Sequence, residues 1–271
     1  MPSIEADGSL FELRPTRYLE SRVEDSDDDF WGRDTTALII LNSPIEDAEY
    51  FRRLYEHSSF VLCADGGANR LYDLMIQEHA DFEWIDALPK ALPSIIHGDL
   101  DSLNHHVRRC YDELGVEING DSDEYSTDFD KAVRKVKERL PEVQNVLILG
   151  SLGGRVDQGV GLLHELFREQ KFRNPALRFW FFTESSVSII LQPGTTKIWT
   201  PLGQELITRN IGILPLYGPA RISTKGCEWD VDDWPTELGG QVSTSNHIVN
   251  DHLLITTDRD VLFTVERHQK L

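Results

Sequence analysis

Phe60-Val61-Leu62-Cys63-Ala64-Asp65-Gly66-Gly67-Ala68-Asn69 is the stretch on which the fold turns. Its first five residues are apolar on both sides of a pleat, as a strand buried on two faces must be. An acid and two glycines follow at once. The same texture recurs at 94–97, followed by Gly98-Asp99-Leu100-Asp101-Ser102. It recurs again at 146–149, followed by Gly150-Ser151-Leu152-Gly153-Gly154-Arg155-Val156-Asp157-Gln158. Runs at 37–41 and 178–183 are alike. Between the runs lie amphipathic segments at 47–57, 127–140 and 161–170. In the middle one, Phe129, Val133, Val136 and Leu140 form a stripe, with Lys131, Arg134, Lys137 and Glu138 opposite. Strand–helix alternation of this kind predicts an α/β fold with a parallel, helix-covered sheet.

Beyond about residue 183 the long helical patterns stop. Short β-rich runs recur at 187–191, 197–200, 211–215, 220–223, 242–245, 253–257 and 261–265. Turn residues punctuate them, including Pro193-Gly194, Pro201, Gly218-Pro219 and Gly239-Gly240. These runs predict a smaller all-β sandwich. The expected organisation is a nucleotide-binding α/β domain over 35–184 and a sandwich over 185–271. Residues 1–34 form a patternless leader, whose acids Glu24, Asp25, Asp27, Asp28 and Asp29 repel one another and favour a loosely held segment.

Charge narrows the function classes. The 271 residues carry 27 basic and 46 acidic side chains, a net charge of −19. Without a basic run, such a chain repels nucleic acid and anionic membrane surfaces. No apolar run approaches the roughly 20 residues that span a bilayer, and residues 1–10 contain no apolar signal core. Cys63, Cys110 and Cys227 form no CxxC pair, so free thiols and a reducing, cytoplasmic setting are expected.

In an open parallel sheet, ligands bind beyond the carboxyl ends of the strands. Here three strand ends bring glycines and carboxylates to one rim, and the loop before the 127–140 helix adds Asp123, Glu124 and Asp128. The spacing of Asp99 and Asp101 suits Mg²⁺, which takes a few carboxylates together with substrate phosphates. The same pair also suits an ordinary Asx-turn. Asp65 precedes glycines that let a backbone approach phosphate closely or simply turn. Asp128 is favoured in a first helical turn by the dipole alone. Arg155 can clamp phosphate oxygens bidentately or pair with Asp157. No P-loop, dinucleotide fingerprint, zinc-protease helix or serine nucleophile elbow is present.

Taken together, these motifs resemble the thiamine pyrophosphokinase family over about residues 37–266. The matching stretches are 64–71, 98–102, Ser126-Thr127-Asp128-Phe129 with Lys131, and 150–158. In the β domain they are Ser223-Thr224-Lys225-Gly226 with Trp229, and Val242-Ser243-Thr244-Ser245-Asn246. The resemblance implies transfer of diphosphate from ATP to thiamine, with Mg²⁺. It implies a homodimer whose sites lie where one subunit's α/β domain faces the other's sandwich. Asp65, Asp99, Asp101 and Asp128 would hold metal and phosphates, with Arg155 and Asp157 assisting. Gly66, Asn69, Arg70, Ser102, Glu124, Thr127 and Gln158 would contact ATP. Trp229, Ser243, Ser245 and Asn246 would frame thiamine. One position departs from the pattern: the family commonly has Gln where this chain has Glu124, which leaves that residue's role open. Two other readings remain: a glycosyltransferase using Asp99-x-Asp101, and a thiamine- or ATP-binding sensor without catalysis.

Overall fold

The computed structural model describes residues 10–22 and 35–269. The acidic cluster at 24–29 lies outside the described residues. The chain divides into two compact units, one of residues 21–22 and 35–184 and one of 10–20 with 185–269. The first strand, β1 (Phe11–Leu13), belongs to the second unit.

The α/β unit runs in order through β2 (Thr36–Ile40), α1 (Ala48–Glu56), β3 (Phe60–Ala64), α2 (Gly67–Glu78), α3 (Trp84–Ala87) and β4 (Ile95–Gly98). It continues through α4 (His105–Glu113), β5 (Glu117–Gly120), α5 (Asp128–Arg139), β6 (Asn145–Leu149), α6 (Val156–Arg168) and β7 (Arg178–Phe182). The strands lie in the order β7-β6-β2-β3-β4-β5, and every pairing is parallel. Leu38, Ile39, Ile40, Leu62, Ile96, Leu147 and Ile148 are wholly buried, which is why these strands carry unbroken apolar runs. From β2 the chain moves first toward β5, then returns to place β6 on the other side of β2. Strand order reverses there, and in such sheets ligands bind beyond the carboxyl ends of the strands.

Local chemistry sets the helix starts. Asp47 Oδ1 accepts from Tyr50 N at 3.0 Å ahead of α1, and Thr127 Oγ1 accepts from Asp130 N at 3.2 Å ahead of α5. Four elements of this unit, α2, α3, α4 and β5, were not anticipated. β5 is a half-exposed edge strand without an apolar run, α2 starts inside the Gly-Gly motif, and α4 starts at His105, three residues beyond Ser102. α6 begins at Val156, five residues before the expected start, because its first turn, with Val156, Asp157 and Gln158 exposed, carries no apolar stripe. Lys131 requires a correction: it does not lie on the solvated stripe of α5 but is 1% exposed. Acids from β4 and from its own helix meet it there.

A buried charge cluster braces α5 against α6. Asp130 pairs with Arg168 and, at 2.9 Å, with Arg173; Arg168 also meets Glu165 at 2.5 Å. Burial, followed by the adjoining Asp130 carboxylate, pushes the Glu165 carboxyl up to about 7. A carboxyl raised on folding stabilises the fold while protonated. That contribution is present at low pH and is lost as pH rises through about 7. The loss runs between the unfolded value of 4.5 and the folded value of about 7, so Glu165→Gln, which mimics the protonated acid, is expected to gain of order 1 kcal/mol over the parent at pH 8.5 and to match it only near pH 4. Denaturant melts at the two pH values check this. A constant offset between the two proteins would contradict it.

The β unit continues with β8 (Ser186–Leu191), β9 (Gly194–Trp199), β10 (Ile207–Leu214) and β11 (Ala220–Lys225). It ends with β12 (Trp234–Thr236), β13 (Ser243–His247), β14 (His252–Thr257) and β15 (Val261–Arg267). One sheet orders β1-β9-β14-β11-β12, and the other contains β13-β10-β15-β8. Inward residues alternate along the strands, with Ile198, Ile222, Leu253, Ile255, Phe263 and Val265 almost fully buried. The α/β fold with an additional β sandwich is thus as expected.

The leader is a further difference. Residues 11–13 pair in parallel with β9, Leu13 opposite Ile198, and Leu13, Tyr18 and Leu19 are buried. The edge of β9 offers unpaired backbone groups that a three-residue strand can satisfy. So short a strand leaves no periodicity to read. Among the described residues, no helix is long and apolar enough to cross a membrane. All three cysteines are buried and free.

Candidate functional site

The acidic rim is built from three chain segments. Asp65 follows β3 in a left-handed conformation, φ 43°, and is 2% exposed. Its Oδ2 accepts the Ser102 N–H at 3.2 Å. β4 ends at Gly98, φ 154°, where a Cβ would stand 2.9 Å from Asp65 Cβ and 3.2 Å from Asp128 Oδ1. Only a hydrogen fits between the two acids. The next turn places Leu100 at φ 67°, a conformation that costs a non-glycine residue about 1–2 kcal/mol. Asp101 N donates to Asp99 Oδ1 at 3.3 Å, so the Asx-turn is present. The other oxygen, Asp99 Oδ2, accepts from Lys131 Nζ at 3.3 Å.

Asp65, Asp99 and Asp128 each offer a carboxylate oxygen, and the three oxygens lie within 4.8 Å of one another. Burial, then the charges of Asp99 and Asp65, pushes the Asp128 carboxyl up to about 6, while Lys131 opposes the rise. Burial also raises Asp65. Asp65 Oδ1 and Asp128 Oδ1 are buried without a hydrogen-bond partner. Orphaned carboxylate oxygens are costly in a closed protein, and hard oxygen donors at this separation fit a divalent cation.

The remaining expected residues fall into different places. Asp101 stands outside the trio and is exposed, its Oδ1 accepting from Ser102 Oγ at 3.0 Å. Asn69 has both ends of its amide engaged: Nδ2 donates to Ser102 O at 2.8 Å and Oδ1 accepts from Asn104 N at 3.0 Å. It staples the loop after β4 to α2. Arg70 Nε donates to Asn42 Oδ1 at 2.8 Å. Gly66 and Gly67 open α2 against the end of β2, where a Cβ on Gly67 would stand 2.2 Å from Ile40 O. Thr127 caps α5, and Glu124 is exposed in the loop before it. Arg155 pairs with Asp157 at 2.5 Å, both exposed, with Gln158 in the following turn of α6. That ion pair is one of the two arrangements the sequence left open.

In the β unit, Trp229, Ser243, Ser245 and Asn246 line one cavity of about 300 Å³, together with Trp234 and Thr224. Asn246 holds the tryptophan loop. Its Oδ1 accepts from Trp229 N at 3.2 Å and its Nδ2 donates to Trp229 O at 2.9 Å. Asp230 ties down the same loop, accepting from Cys227 N and Gly226 N, each at 3.0 Å. Trp229 is 56% exposed, and its ring stands 5.4 Å from the His247 ring. Trp234 and Thr224 were not anticipated as parts of this pocket, nor Asp230 as the brace of its loop, although an acid three residues after Cys227 is a turn signal.

The comparisons with known proteins bear on both units. Residues 51–177 match the family profile described as "Thiamin pyrophosphokinase, catalytic domain". Residues 195–262 match "Thiamin pyrophosphokinase, vitamin B1 binding domain". The chain is 31% identical over 235 residues to thiamine pyrophosphokinase 1 of Oryza sativa subsp. japonica, covering 84% of this chain and 86% of that protein. It is 30% identical to the Arabidopsis thaliana protein of the same name, at 84% and 85% coverage. The crystal structure of yeast thiamin pyrophosphokinase superposes with a TM-score of 0.81 at 25% identity, over 97% of this chain and 93% of that one. A thiamin pyrophosphokinase from Candida albicans shares the fold at a TM-score of 0.79. Strand-terminal acids in one unit, a tryptophan pocket in the other and these likenesses over most of the length agree: the chain belongs to the thiamin pyrophosphokinase family.

Proposed function

We propose that the chain carries out the reaction of its family at these two places: Asp65, Asp99 and Asp128 hold a Mg²⁺–polyphosphate, and the Trp229 pocket takes thiamine. The chain is an enzyme of the thiamine diphosphokinase class, moving a diphosphate from ATP to thiamine to give thiamine diphosphate and AMP. The observation that carries the site assignment is the convergence of three carboxylates with two orphaned oxygens.

Diphosphoryl transfer needs positioning and charge neutralisation more than covalent help from the protein. When bound, Mg²⁺ would supply charge neutralisation at the phosphate oxygens. Asp65, Asp99 and Asp128 would be its ligands, with Asp101 adding charge at the exposed edge. Arg155 sits in a glycine loop and can exchange Asp157 for phosphate oxygens. Gly66, Arg70, Ser102, Thr127 and Gln158 would contact ATP, while Asn69 holds Ser102 in place. The exposed Trp229 face attracts the thiazolium cation of thiamine, and Ser243 and Ser245 offer hydroxyls to its polar ring.

The test is a coupled assay for AMP. Thiamine-dependent AMP formation from Mg²⁺·ATP supports the reading. ADP as the product, transfer from a nucleotide-sugar, or binding without turnover would each replace it. A reducing, cytoplasmic setting suits the buried free thiols. The net charge of −19 disfavours nucleic acid as a partner.

The family resemblance also supports a homodimer with shared sites. Subunits carrying Asp99→Asn, mixed and refolded with subunits carrying Trp229→Ala and assayed at thiamine well below the parental KM, where each variant alone is nearly inactive, are then expected to recover about a quarter of parental activity, since half the dimers gain one intact site. No recovery would mean that each chain works alone.

A further inference from the structure

We infer that Lys131 is the resident counter-ion of the acidic rim: it holds the place of a divalent cation, yields Asp99 to it, and then turns to the polyphosphate. This rests on the assignment of the rim as a metal site. Lys131 is 1% exposed, and a buried ammonium is tolerated only when paired. Its partners are Asp99 Oδ2 at 3.3 Å and Asp128 Oδ1 at 3.9 Å. Charge-assisted N–H···O bonds normally run about 2.7–2.9 Å. The ammonium therefore sits between two acids rather than locked to one. Thr127 caps the helix, so α5 starts rigidly and delivers Lys131 one turn after Asp128, from beneath the rim. Three carboxylates against one ammonium leave the rim short of positive charge, and a divalent cation supplies it. Once Asp99 and Asp128 turn to a metal, the three N–H donors of Lys131 become available to phosphate oxygens. Lys131 is thus a competitor of the free metal and a partner of the metal–nucleotide complex.

These two roles predict opposite effects of one substitution. Lys131→Met keeps the apolar stem and removes the charge. Without nucleotide, its affinity for Mn²⁺, read by the paramagnetic resonance of free Mn²⁺, is expected to rise about tenfold. The KM for Mn²⁺·ATP is expected to rise about tenfold as well. Its Tm is expected to fall in metal-free buffer and to recover with saturating Mn²⁺, which relieves the repulsion among the acids. Asp99→Asn, measured alongside, is expected to weaken Mn²⁺ binding. If Asp99→Asn weakens Mn²⁺ binding while Lys131→Met leaves it unchanged or weaker, the Lys131 inference fails and the metal site stands. If Asp99→Asn leaves Mn²⁺ affinity unchanged, the metal site fails and the inference with it. A Tm deficit in Lys131→Met that is equal with and without Mn²⁺ assigns the residue to packing alone and overturns the inference.

Discussion

Asp99→Asn is expected to lower kcat about a thousandfold at saturating Mg²⁺, ATP and thiamine while leaving the fold intact. Three facts lead to that size. Asp99 is one of three acids whose oxygens lie within 4.8 Å, so the substitution removes a third of the charge that fits the cation. Its side chain is 42% exposed, so no core contact is lost. Asn preserves an oxygen that can accept from Asp101 N, so the turn survives. The informative control is Asp101→Asn. Asp101 lies outside the trio and faces Ser102 Oγ, so its loss is expected to cost only about tenfold. Steady-state kinetics of both variants, with Tm beside them, rank the two acids. A ranking with Asp101 at or above Asp99 would place the cation elsewhere on the rim.

Trp229→Ala is expected to raise the KM for thiamine about thirtyfold and to change the KM for ATP less than twofold. Trp229 is more than half exposed, so little packing depends on it. What the ring presents is a face, fixed by the two backbone bonds from Asn246 and by the Asp230 tie. Asn246→Ala should reproduce the thiamine defect at an additional cost in Tm, because Asn246 is buried and its amide is fully engaged. Separate titrations of the two substrates decide the matter. Parallel losses for thiamine and ATP would return Trp229 to a structural role.

Much of the fold was legible because its signals are local. A strand buried on both faces must be apolar through its middle, and β2, β3, β4, β6 and β7 are, with Thr36, His97, Asn145 and Arg178 confined to the strand ends. Turn chemistry marked the strand ends, and so Asp65, Asp99 and Asp128 could be placed on one rim before any distance was known. The hydroxyl and tryptophan residues of the β unit became a candidate pocket only through resemblance, since singly they are ordinary sandwich residues.

By itself the sequence determined the strand–helix alternation, the all-β character of the later residues and the presence of acids after β3 and β4, all encoded within a few neighbouring residues. Only the tertiary structure decided which acids converge, that Lys131 is buried among them, that Asn69 and Asn246 spend their amides as braces, and that residues 11–13 join β9. The reason is sequence separation. Lys131 meets Asp99 across 32 positions, and Asn69 meets Ser102 across 33. A polar side chain carries no mark of whether its partner will be water or a residue that folding brings to it.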